Sequence, residues 1–461
     1  MAKAIVSISG LRGIVWSELT PEVLTKYVGA VVSELIDKHR RSRTESGAPR
    51  VIVGRDGRRS GEVILGIVSE VLGASGCEVL NAGIVPTPTI GVLVRQYGAV
   101  CAFQITASHN PAEYNGLKVF DSSGRVLNHE LASRIIKTFD GDFVYWTDRP
   151  ASPFKLKIID TASNHLHAVL STVNVERIRK KRFRVLLDSN SGAGGHLGEK
   201  LLESLGCSTI PIDSFPNGNF AHKPEPIAEN LGAVASQVAE HTCDIGFCQD
   251  PDADRLALID ERGRYVGEEC TLALCVKRIL LLHPTSRRPI VTNCATSRKS
   301  QILASKTDSP FHRSSVGEAN VVDCMIAVGA IFGGEGNGGP IDPRVGYVRD
   351  SFVGMAQVLD LMALTNLPLS SLCDRLPSYV MIKSKFSLNP SKLKDALSTV
   401  ADLYPTAIHD WQDGLRIVWN DSWLLIRGSN TEPVVRIITE APCQKRADEL
   451  CRGVLVALQA L

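Results

Sequence analysis

Short runs of branched aliphatic residues, each followed at once by polar or small residues, recur along the first two thirds of this chain. In three units the first run lies at 51–54, 185–187 and 290–292. A second run follows in each unit, at 100–105, 244–248 and 330–332. Continuous apolar runs are typical of buried parallel strands, and the intervals leave room for helical crossovers. The pattern predicts three α/β units of similar plan.

Three polar loops follow the second run of each unit. They are TASHNP at 106–111, QDPDADR at 249–255 and GGEGNGG at 333–339. Open α/β sheets bind ligands at the carboxyl ends of their strands. We therefore expect the three loops to face a shared cleft.

The pattern changes after residue 378. It predicts strands at 380–388, 415–419, 423–426 and 434–439, and helices at 391–402 and 443–459. The predicted fold class is thus α/β, with three similar mixed-sheet α/β domains and a C-terminal α+β domain around a central cleft. The predicted domains span 1–148, 149–265, 266–376 and 377–461.

Composition narrows the functional classes. The 461 residues are 44% hydrophobic and 22% charged, and 51 basic against 49 acidic residues give a net charge of +2. Such a balance offers no overall field for nucleic acid or an anionic membrane. No apolar run approaches the roughly 18 residues of a membrane span, no secretory signal opens the chain, and its twelve cysteines form no C-x-x-C pair. We expect a cytoplasmic protein with reduced thiols.

Three carboxylates alternate in the loop at 249–255. Asp250, Asp252 and Asp254 would repel one another if packed together, so a hard cation is the economical explanation. An EF-hand does not fit, because Arg255 stands where that loop needs glycine. A solvated acidic turn is the alternative. We predict a metal site, with Mg²⁺ favoured over Ca²⁺.

Ser108 begins the polar half of its loop and is followed by His109. A serine hydrolase is a weak alternative, because adjacent residues rarely reach each other as nucleophile and base and no G-x-S-x-G elbow is present. A phosphorylated Ser108 would carry about two negative charges and complete the coordination of a cation on the aspartates. Lys118 and Arg255 would then neutralise the oxygens in phosphoryl transfer.

The loop at 427–433, RGSNTEP, concentrates phosphate donors. It holds Arg427, Ser429, Asn430 and Thr431, with Arg436 on the following strand. Arginine binds phosphate through two parallel N–H bonds, and hydroxyl and backbone N–H groups can complete the shell. A polar hairpin loop without a ligand is the alternative.

Together, TASHNP, DPDADR, GEGNGG and RGSNTEP closely resemble, in order and interval, the signature loops of the α-D-phosphohexomutases, which interconvert sugar 1-phosphates and 6-phosphates. The resemblance covers the whole chain. It implies phosphoserine at Ser108, Mg²⁺ bound by that group and the three aspartates, and a hexose 1,6-bisphosphate as intermediate and activator. It also implies small-molecule sugar phosphates as partners.

The resemblance assigns further roles residue by residue. Glu335 and Asn337 would contact sugar hydroxyls, while the loop containing Arg427 would hold the phosphate that does not react. Lys118 matches a lysine that is a candidate for proton transfer at the phosphoserine, and His109 is a further contributor. Arg12, in SGLRG, and Arg58, in GRDGRRSG, match positions that line the cleft.

The form of the third loop bears on the substrate. Many family members have serine at the position of Asn337 and histidine at that of Gly339, and the GEGNGG form is similar to archaeal-type and some bacterial phosphoglucosamine or phosphomannose mutases. The combination favours glucosamine phosphate over glucose or mannose phosphate. A metal-dependent phosphatase and a sugar-phosphate-binding protein without turnover stay open as alternatives.

Overall fold

The computed structural model describes residues 4–37, 47–141, 157–158, 160–429 and 434–460, and of 157–158 the backbone alone. Its strands form four sheets. The first comprises β1 (Ile5–Ser7), β2 (Gly10–Ile14), β3 (Arg50–Arg55), β4 (Glu78–Ile84), β5 (Cys101–Ile105), β6 (Tyr114–Asp121) and β7 (Lys157–Ile158). The second comprises β8 (Arg184–Asp188), β9 (Ser208–Ile212), β10 (Ile245–Gln249) and β11 (Leu256–Asp260). The third comprises β12 (Ile290–Asn293), β13 (Phe311–Ser314), β14 (Phe332–Glu335) and β15 (Gly339–Ile341).

The fourth sheet comprises β16 (Val380–Ser387), β17 (Ile408–Asp410), β18 (Leu415–Val418), β19 (Trp423–Gly428) and β20 (Val434–Ala441), all antiparallel. The helices of the first unit are α1 (Pro21–Val31, continued by a π-turn at Val32–Ile36), α2 (Gly61–Ala74), α3 (Thr87–Tyr97) and α4 (His129–Asp140). The second unit contains α5 (Ser163–Leu170), α6 (Val175–Arg179), α7 (Gly195–Ser204) and α8 (Gly232–Glu240). The remaining helices are α9 (Glu268–Leu282), α10 (Lys299–Ser305), α11 (Glu318–Val328), α12 (Ser351–Thr365), α13 (Leu369–Asp374), α14 (Leu393–Leu403) and α15 (Gln444–Gln459).

The first three sheets share one plan. Their common orders are β4-β3-β5-β6, β9-β8-β10-β11 and β13-β12-β14-β15. In each, the first three strands are parallel and the last pairs antiparallel with its neighbour. The three α/β units predicted from the apolar runs are therefore confirmed, and each sends a loop from the same end of its third strand.

Three details differ from the expected pattern. The run predicted at 330–332 is displaced, since β14 begins at Phe332 and continues through Gly333 and Gly334 to Glu335. The C-terminal sheet has an additional edge strand, β17. Strand β7 pairs with β4 of the first sheet although it follows residue 148, and the domain boundaries themselves stay predictions.

Apolar packing joins the second and third units. One cluster of buried side chains includes Phe247 and Leu258 from the second sheet together with Phe332 and Phe352 from the third unit. The first and fourth sheets have clusters of their own. Burial of this apolar area is the main stabilising contribution in such a fold. Within the described ranges, no helix combines the length and apolar character needed to cross a membrane.

Buried polar bridges fix the first unit against the other two. The Thr87 hydroxyl donates to Asp252 Oδ2 at 2.6 Å. His165 contacts Thr89 Oγ1 through Nδ1 at 2.8 Å and Asp350 Oδ2 through Nε2 at 2.7 Å, so its ring joins all three units. These contacts place the loops after β5, β10 and β14 around one centre.

Candidate active site

Ser108 lies on the loop that follows β5 and is 2% exposed. Its backbone has φ 51, in the left-handed region that costs a non-glycine residue about 1–2 kcal/mol. The Thr106 hydroxyl oxygen accepts from the Ser108 backbone N–H at 2.9 Å and stabilises this turn. The strain directs attention to this residue as a functional position.

Arg58 holds the Ser108 loop through hydrogen bonds to its backbone. Its guanidinium donates to the backbone carbonyls of Ser108, Asn110, Pro111 and Tyr114 at 2.6 to 3.0 Å. A further bond at 3.1 Å goes from Nε to a buried carboxylate, that of Asp56 in the same segment. The donors of Arg58 are thus used by the loop and by Asp56, and its side chain is 1% exposed. That Arg58 lines the cleft stays a prediction.

The three aspartates of the second loop converge. Asp250, Asp252 and Asp254 are fully buried and offer oxygen atoms within 4.8 Å of one another. Ala253, at φ 56, bends the chain between them. The Ser108 hydroxyl donates to Asp250 Oδ2 at 2.9 Å, which joins the first loop to the second. The predicted convergence of these four residues is therefore present in the structure.

The charge of the triad and its unused hydrogen-bond acceptors favour a bound cation. Burial, with the charges of Asp254 and Asp252, raises the pKa of Asp250 well above its ordinary value. Asp252 Oδ1 and Asp254 Oδ1 are buried and have no hydrogen-bond partner among the residues that the structure describes. Unpaired buried carboxylate oxygens are costly and call for a ligand. The residues present thus fit a bound divalent cation.

Lys118, on β6, binds two of the three aspartates. Its Nζ donates to Asp252 Oδ2 at 2.6 Å and to Asp254 Oδ2 at 2.8 Å. Burial acts to lower the pKa of Lys118, but the two aspartates outweigh burial and raise it. The ammonium is therefore held in its charged form against Asp252 and Asp254.

His109 places its Nδ1 3.2 Å from Ser108 Oγ. Burial, followed by the charges of Arg255 and Arg12, lowers the pKa of His109 well below its ordinary value. The single Ser108 hydroxyl proton is given to Asp250 in this arrangement, so a neutral imidazole can accept it only when the hydroxyl turns to His109 Nδ1. Arg12 Nη1 lies 3.4 Å from the Asn110 side-chain oxygen, and Arg255 Nε lies 3.9 Å from Asp254 Oδ1. Both arginines therefore border the same centre.

The third loop places Glu335 at the end of β14. Its Oε1 accepts from Asn293 Nδ2 at 2.7 Å, and its Oε2 lies 3.3 Å from Asn337 Nδ2. Asn337 Oδ1 is buried without a partner in the described part of the chain. Between these residues, a Cβ on Gly336 would meet Glu269 Oε2 at 2.1 Å, so a larger residue there would require the Glu269 side chain to move. Burial raises the pKa of Glu269 to about 8.

Arg349, which the sequence reasoning did not single out, links the second and third loops. Its Nη2 donates to Asp254 Oδ2 at 2.7 Å and its Nη1 to Glu335 Oε2 at 2.9 Å. Its Nε donates to Glu318 Oε2 at 3.2 Å. Glu318 opens α11 and was missed as well. The VRDS segment carried no recognisable motif, and only the tertiary fold brings these charges together.

The fourth domain contributes Arg427 at the end of β19. Its Nε donates to both carboxylate oxygens of Asp413 at 3.1 Å, and Asp413 Oδ2 also accepts from the Val316 backbone N–H at 2.8 Å. Arg436 pairs with Arg427 across β19 and β20. Ser429 donates its backbone N–H to the Val434 carbonyl at 2.9 Å. Asn430 and Thr431 lie outside the described residues.

A buried carboxylate anchors this domain to the third unit. Glu440 accepts from the Ser297 hydroxyl, from the Arg298 backbone N–H at 3.0 Å and from Trp423 Nε1 at 2.6 Å. Trp423 packs in one apolar cluster with Cys294 of the third unit. Arg427 is thus carried on a sheet that docks against the third unit.

Comparison with known families identifies all four domains. The models of phosphoglucomutase/phosphomannomutase alpha/beta/alpha domains I, II and III match residues 4–144, 163–263 and 268–379. The model of the C-terminal domain of the same family matches residues 385–455. The chain belongs to the phosphoglucomutase/phosphomannomutase family, a branch of the α-D-phosphohexomutases, and the resemblance predicted from the four loops is confirmed.

Relatives of the chain span its whole length. It is 34% identical over 446 residues to a phosphoglucomutase/phosphomannomutase of Thermococcus kodakarensis, covering 95% of each chain. It is 32% identical over 450 residues to a phosphoglucosamine/phosphogalactosamine mutase of Sulfurisphaera tokodaii, covering 96% of each.

Solved structures share the fold. A phosphoglucomutase/phosphomannomutase family protein of Burkholderia thailandensis superposes with TM-score 0.81 at 26% identity, covering 99% of this chain and 98% of that one. An Aspergillus fumigatus N-acetylphosphoglucosamine mutase, solved with GlcNAc-6P and magnesium, gives TM-score 0.60 at 14% identity, covering 98% of this chain and 95% of that one. At that identity the second likeness concerns the fold alone.

Proposed function

We propose that this protein is a phosphosugar mutase that interconverts hexosamine 6-phosphate and 1-phosphate through a phosphorylated Ser108. The observation that carries the proposal is the hydrogen bond from Ser108 to Asp250, at 2.9 Å, inside a buried carboxylate triad. Membership of the phosphohexomutase family supports the reaction class, an intramolecular phosphotransfer.

The triad would hold Mg²⁺. Asp250, Asp252 and Asp254, with an oxygen of the group on Ser108, form the small, all-oxygen donor set that this ion takes beside phosphate. The Oδ1 atoms of Asp252 and Asp254, which accept no hydrogen bond from the described residues, support the assignment. When bound, the cation supplies positive charge to the oxygens of the transferring phosphoryl group.

The chain's own residues prepare the transfer. Arg58 fixes the loop so that Ser108 Oγ stays in contact with the triad. Lys118 keeps a positive charge against the carboxylates of the triad. In the forward half-reaction the Oγ–P bond breaks while a P–O bond forms to the free sugar hydroxyl. The sugar hydroxyl gives up its proton and Ser108 Oγ takes one up, so the step is proton-neutral. Positioning and charge neutralisation are the main sources of rate in such transfers.

Proton movement falls to His109 in this proposal. Its lowered pKa and its distance of 3.2 Å to Ser108 Oγ suit it to accept the serine proton when the phosphoryl group returns. Lys118 suits that role less well, because its raised pKa keeps the ammonium protonated. It neutralises charge instead.

The rest of the site holds the sugar phosphate. We assign Glu335 and Asn337 to the sugar hydroxyls, and Arg427, Ser429, Asn430, Thr431 and Arg436 to the distant phosphate. The intermediate is a hexose 1,6-bisphosphate that must turn over before the second transfer. A donor set built for phosphate accepts either end of the sugar, because it does not depend on the stereochemistry of the ring.

The relatives support a hexosamine substrate. Among the matching proteins are a phosphoglucosamine/phosphogalactosamine mutase and several probable phosphoglucosamine mutases, together with a phosphoglucomutase/phosphomannomutase. We propose glucosamine phosphate as the preferred substrate, glucose or mannose phosphate as the second candidate, and the cytoplasm as the compartment.

A ³¹P NMR time course tests the proposal. Purified protein with Mg²⁺ and a trace of hexose 1,6-bisphosphate is supplied in parallel with glucosamine, glucose and mannose 6-phosphates. We expect 1-phosphate resonances that are absent with Ser108→Ala, and fastest with glucosamine 6-phosphate. Net release of inorganic phosphate would indicate a phosphatase, and unchanged spectra would leave a binding role.

A further inference from the structure

Arg349 is the one described side chain that donates hydrogen bonds to both the metal loop (residues 249–255) and the sugar loop (residues 333–339). It contacts Asp254 at 2.7 Å and Glu335 at 2.9 Å through separate guanidinium nitrogens. Its third contact, to Glu318, is longer at 3.2 Å. The side chain is 9% exposed, so solvent screens these interactions little.

The two oxygens of Asp254 face different partners. Oδ2 accepts from Arg349 and Lys118, whereas Oδ1 has no hydrogen-bond partner within the described ranges. A cation in the triad would bind Asp254 through Oδ1. The contact between Arg349 and Oδ2 can then stay in place. Asp254 can therefore serve a cation and Arg349 at the same time.

A similar division applies to Glu335. Its Oε1 is held by Asn293 and by the Gly317 backbone N–H at 3.2 Å, both within the third unit. Its Oε2 accepts from Arg349 and from Asn337. The orientation of the oxygen nearest to Asn337 thus depends on an arginine that the metal loop also attracts.

We propose that Arg349 is a positioning residue that couples cation binding at Asp250, Asp252 and Asp254 to sugar recognition at Glu335. The inference rests on the proposed function of these two loops. A cation on the triad neutralises part of the charge of Asp254 and weakens its attraction for Arg349. The guanidinium then binds Glu335 more strongly and fixes that carboxylate for the sugar. Cation and sugar phosphate consequently favour each other's binding.

A structural ion pair alone would have a different signature. A purely structural arginine affects the stability of the fold and lowers both affinities together. A coupling residue changes the factor by which one ligand alters the affinity for the other, and that factor is the same in both directions. The ratio of the affinities for one ligand, measured with and without the other ligand, therefore distinguishes a coupling role of Arg349 from a purely structural one.

The experiment uses the full chain with Ser108→Ala, which prevents turnover and removes a direct phosphoserine link between the two ligands. The Mg²⁺ dissociation constant is measured by calorimetry without and with saturating glucosamine 6-phosphate, corrected for free Mg²⁺. We expect Mg²⁺ to bind at least about fivefold more tightly with the sugar phosphate present, within the usual range of coupling. Adding Arg349→Lys should reduce this factor to less than about twofold.

Two further variants control the test. Arg344→Gln removes an ion pair with Asp342 in the same unit, away from both loops, and should leave the coupling factor unchanged. Glu318→Gln removes the third carboxylate and leaves Arg349 to Asp254 and Glu335, so the factor should stay equal or rise. It decides the question if the Arg349 variant does not fold, because a structural role would lower both affinities instead.

The outcomes are distinct. Full coupling in the Arg349→Lys protein, or a lower factor with Glu318→Gln, would overturn the inference while leaving the proposed function intact. Binding of both ligands without any coupling in the Ser108→Ala parent would do the same. Failure of the parent to bind Mg²⁺ and sugar phosphate at all would overturn the proposed function and the inference with it.

Discussion

The hydroxyl of Ser108 and the carboxylate of Asp250 are hydrogen-bonded at 2.9 Å across 142 positions of sequence. Neither loop makes a reaction centre alone, because the first supplies an oxygen nucleophile and the second a concentrated negative charge. In the proposed function, their contact would place a phosphoryl carrier against a cation site.

Asp252→Asn tests the triad. We expect turnover to fall by at least about 100-fold, the loss typical for removal of one preorganised charge from a transition state. The fold should persist, since asparagine can still accept from the Thr87 hydroxyl. Steady-state rates and circular dichroism melting measure the two effects. Asp342→Asn, another buried carboxylate, is the control and should keep its activity. Near-normal rates after metal removal would refute the Mg²⁺ role.

Mg²⁺ should also stabilise the protein in the absence of substrate. The ion binds the folded triad and relieves repulsion among its carboxylates, so the melting temperature should rise with Mg²⁺ concentration. The rise should be much smaller for Asp252→Asn. Differential scanning fluorimetry provides the measurement, and an equal rise in both proteins would place the responsible ion elsewhere.

Arg427→Ala tests the phosphate loop. A hydrogen bond to a charged group contributes about 1.5–3 kcal/mol, so KM should rise by about tenfold or more. The rise should be similar for glucosamine, glucose and mannose 6-phosphates. Arg446→Ala, at a partly exposed position of α15 in the same domain, is the matched control. An effect confined to one sugar would contradict the assignment.

Glu335→Gln tests sugar recognition. The variant retains shape and hydrogen-bonding capacity but loses the charge that Arg349 holds, so kcat/KM should fall by different factors for different sugars. The inhibition constant of inorganic phosphate should not change, because phosphate does not need the hydroxyl contacts. A variant altered only toward inorganic phosphate would disprove the role.

Glu269 should give the protein a measurable pH dependence. Burial raises its pKa to about 8, above the ordinary glutamate value of about 4.3 in the unfolded chain. The folded state therefore binds the extra proton, and the stability from Glu269 is full below that ordinary value and is lost as pH rises through about 8. Glu269→Gln should reduce the fall in melting temperature between pH 6 and 9 relative to the unmodified protein. Identical slopes would show that Glu269 is already ionised.

The strands and the reactive loops could be predicted from the sequence because both follow local patterns. Apolar runs mark buried strands, and alternating aspartates in a tight loop have few other uses. Strand β14 starts later than the predicted run at 330–332. Its residues Gly333 and Gly334 are disfavoured by strand propensity, so the sequence pattern did not mark them as part of a strand. Packing requires glycine at the first of them, since a Cβ on Gly333 would meet the Val291 carbonyl at 2.7 Å.

Residues that act by bridging could not be predicted in the same way. Arg349, Glu318 and Glu269 lie in segments with ordinary composition, and their importance comes from the elements packed against them. Arg58 is a different case. Its motif placed it near the site, but the sequence could not tell that backbone carbonyls would use its donors.

The bonds from Arg58 to the Ser108 loop bear on how the enzyme would manage its own cycle. In the proposed mechanism Ser108 would alternate between a neutral hydroxyl and a dianion, a change in charge that would rearrange a loosely held loop. Four backbone carbonyls tied to one buried guanidinium resist such a rearrangement. In the proposed mechanism the loop would therefore stay fixed, and the movement that inverts the bisphosphate would come from the ligand and from the domain that carries Arg427.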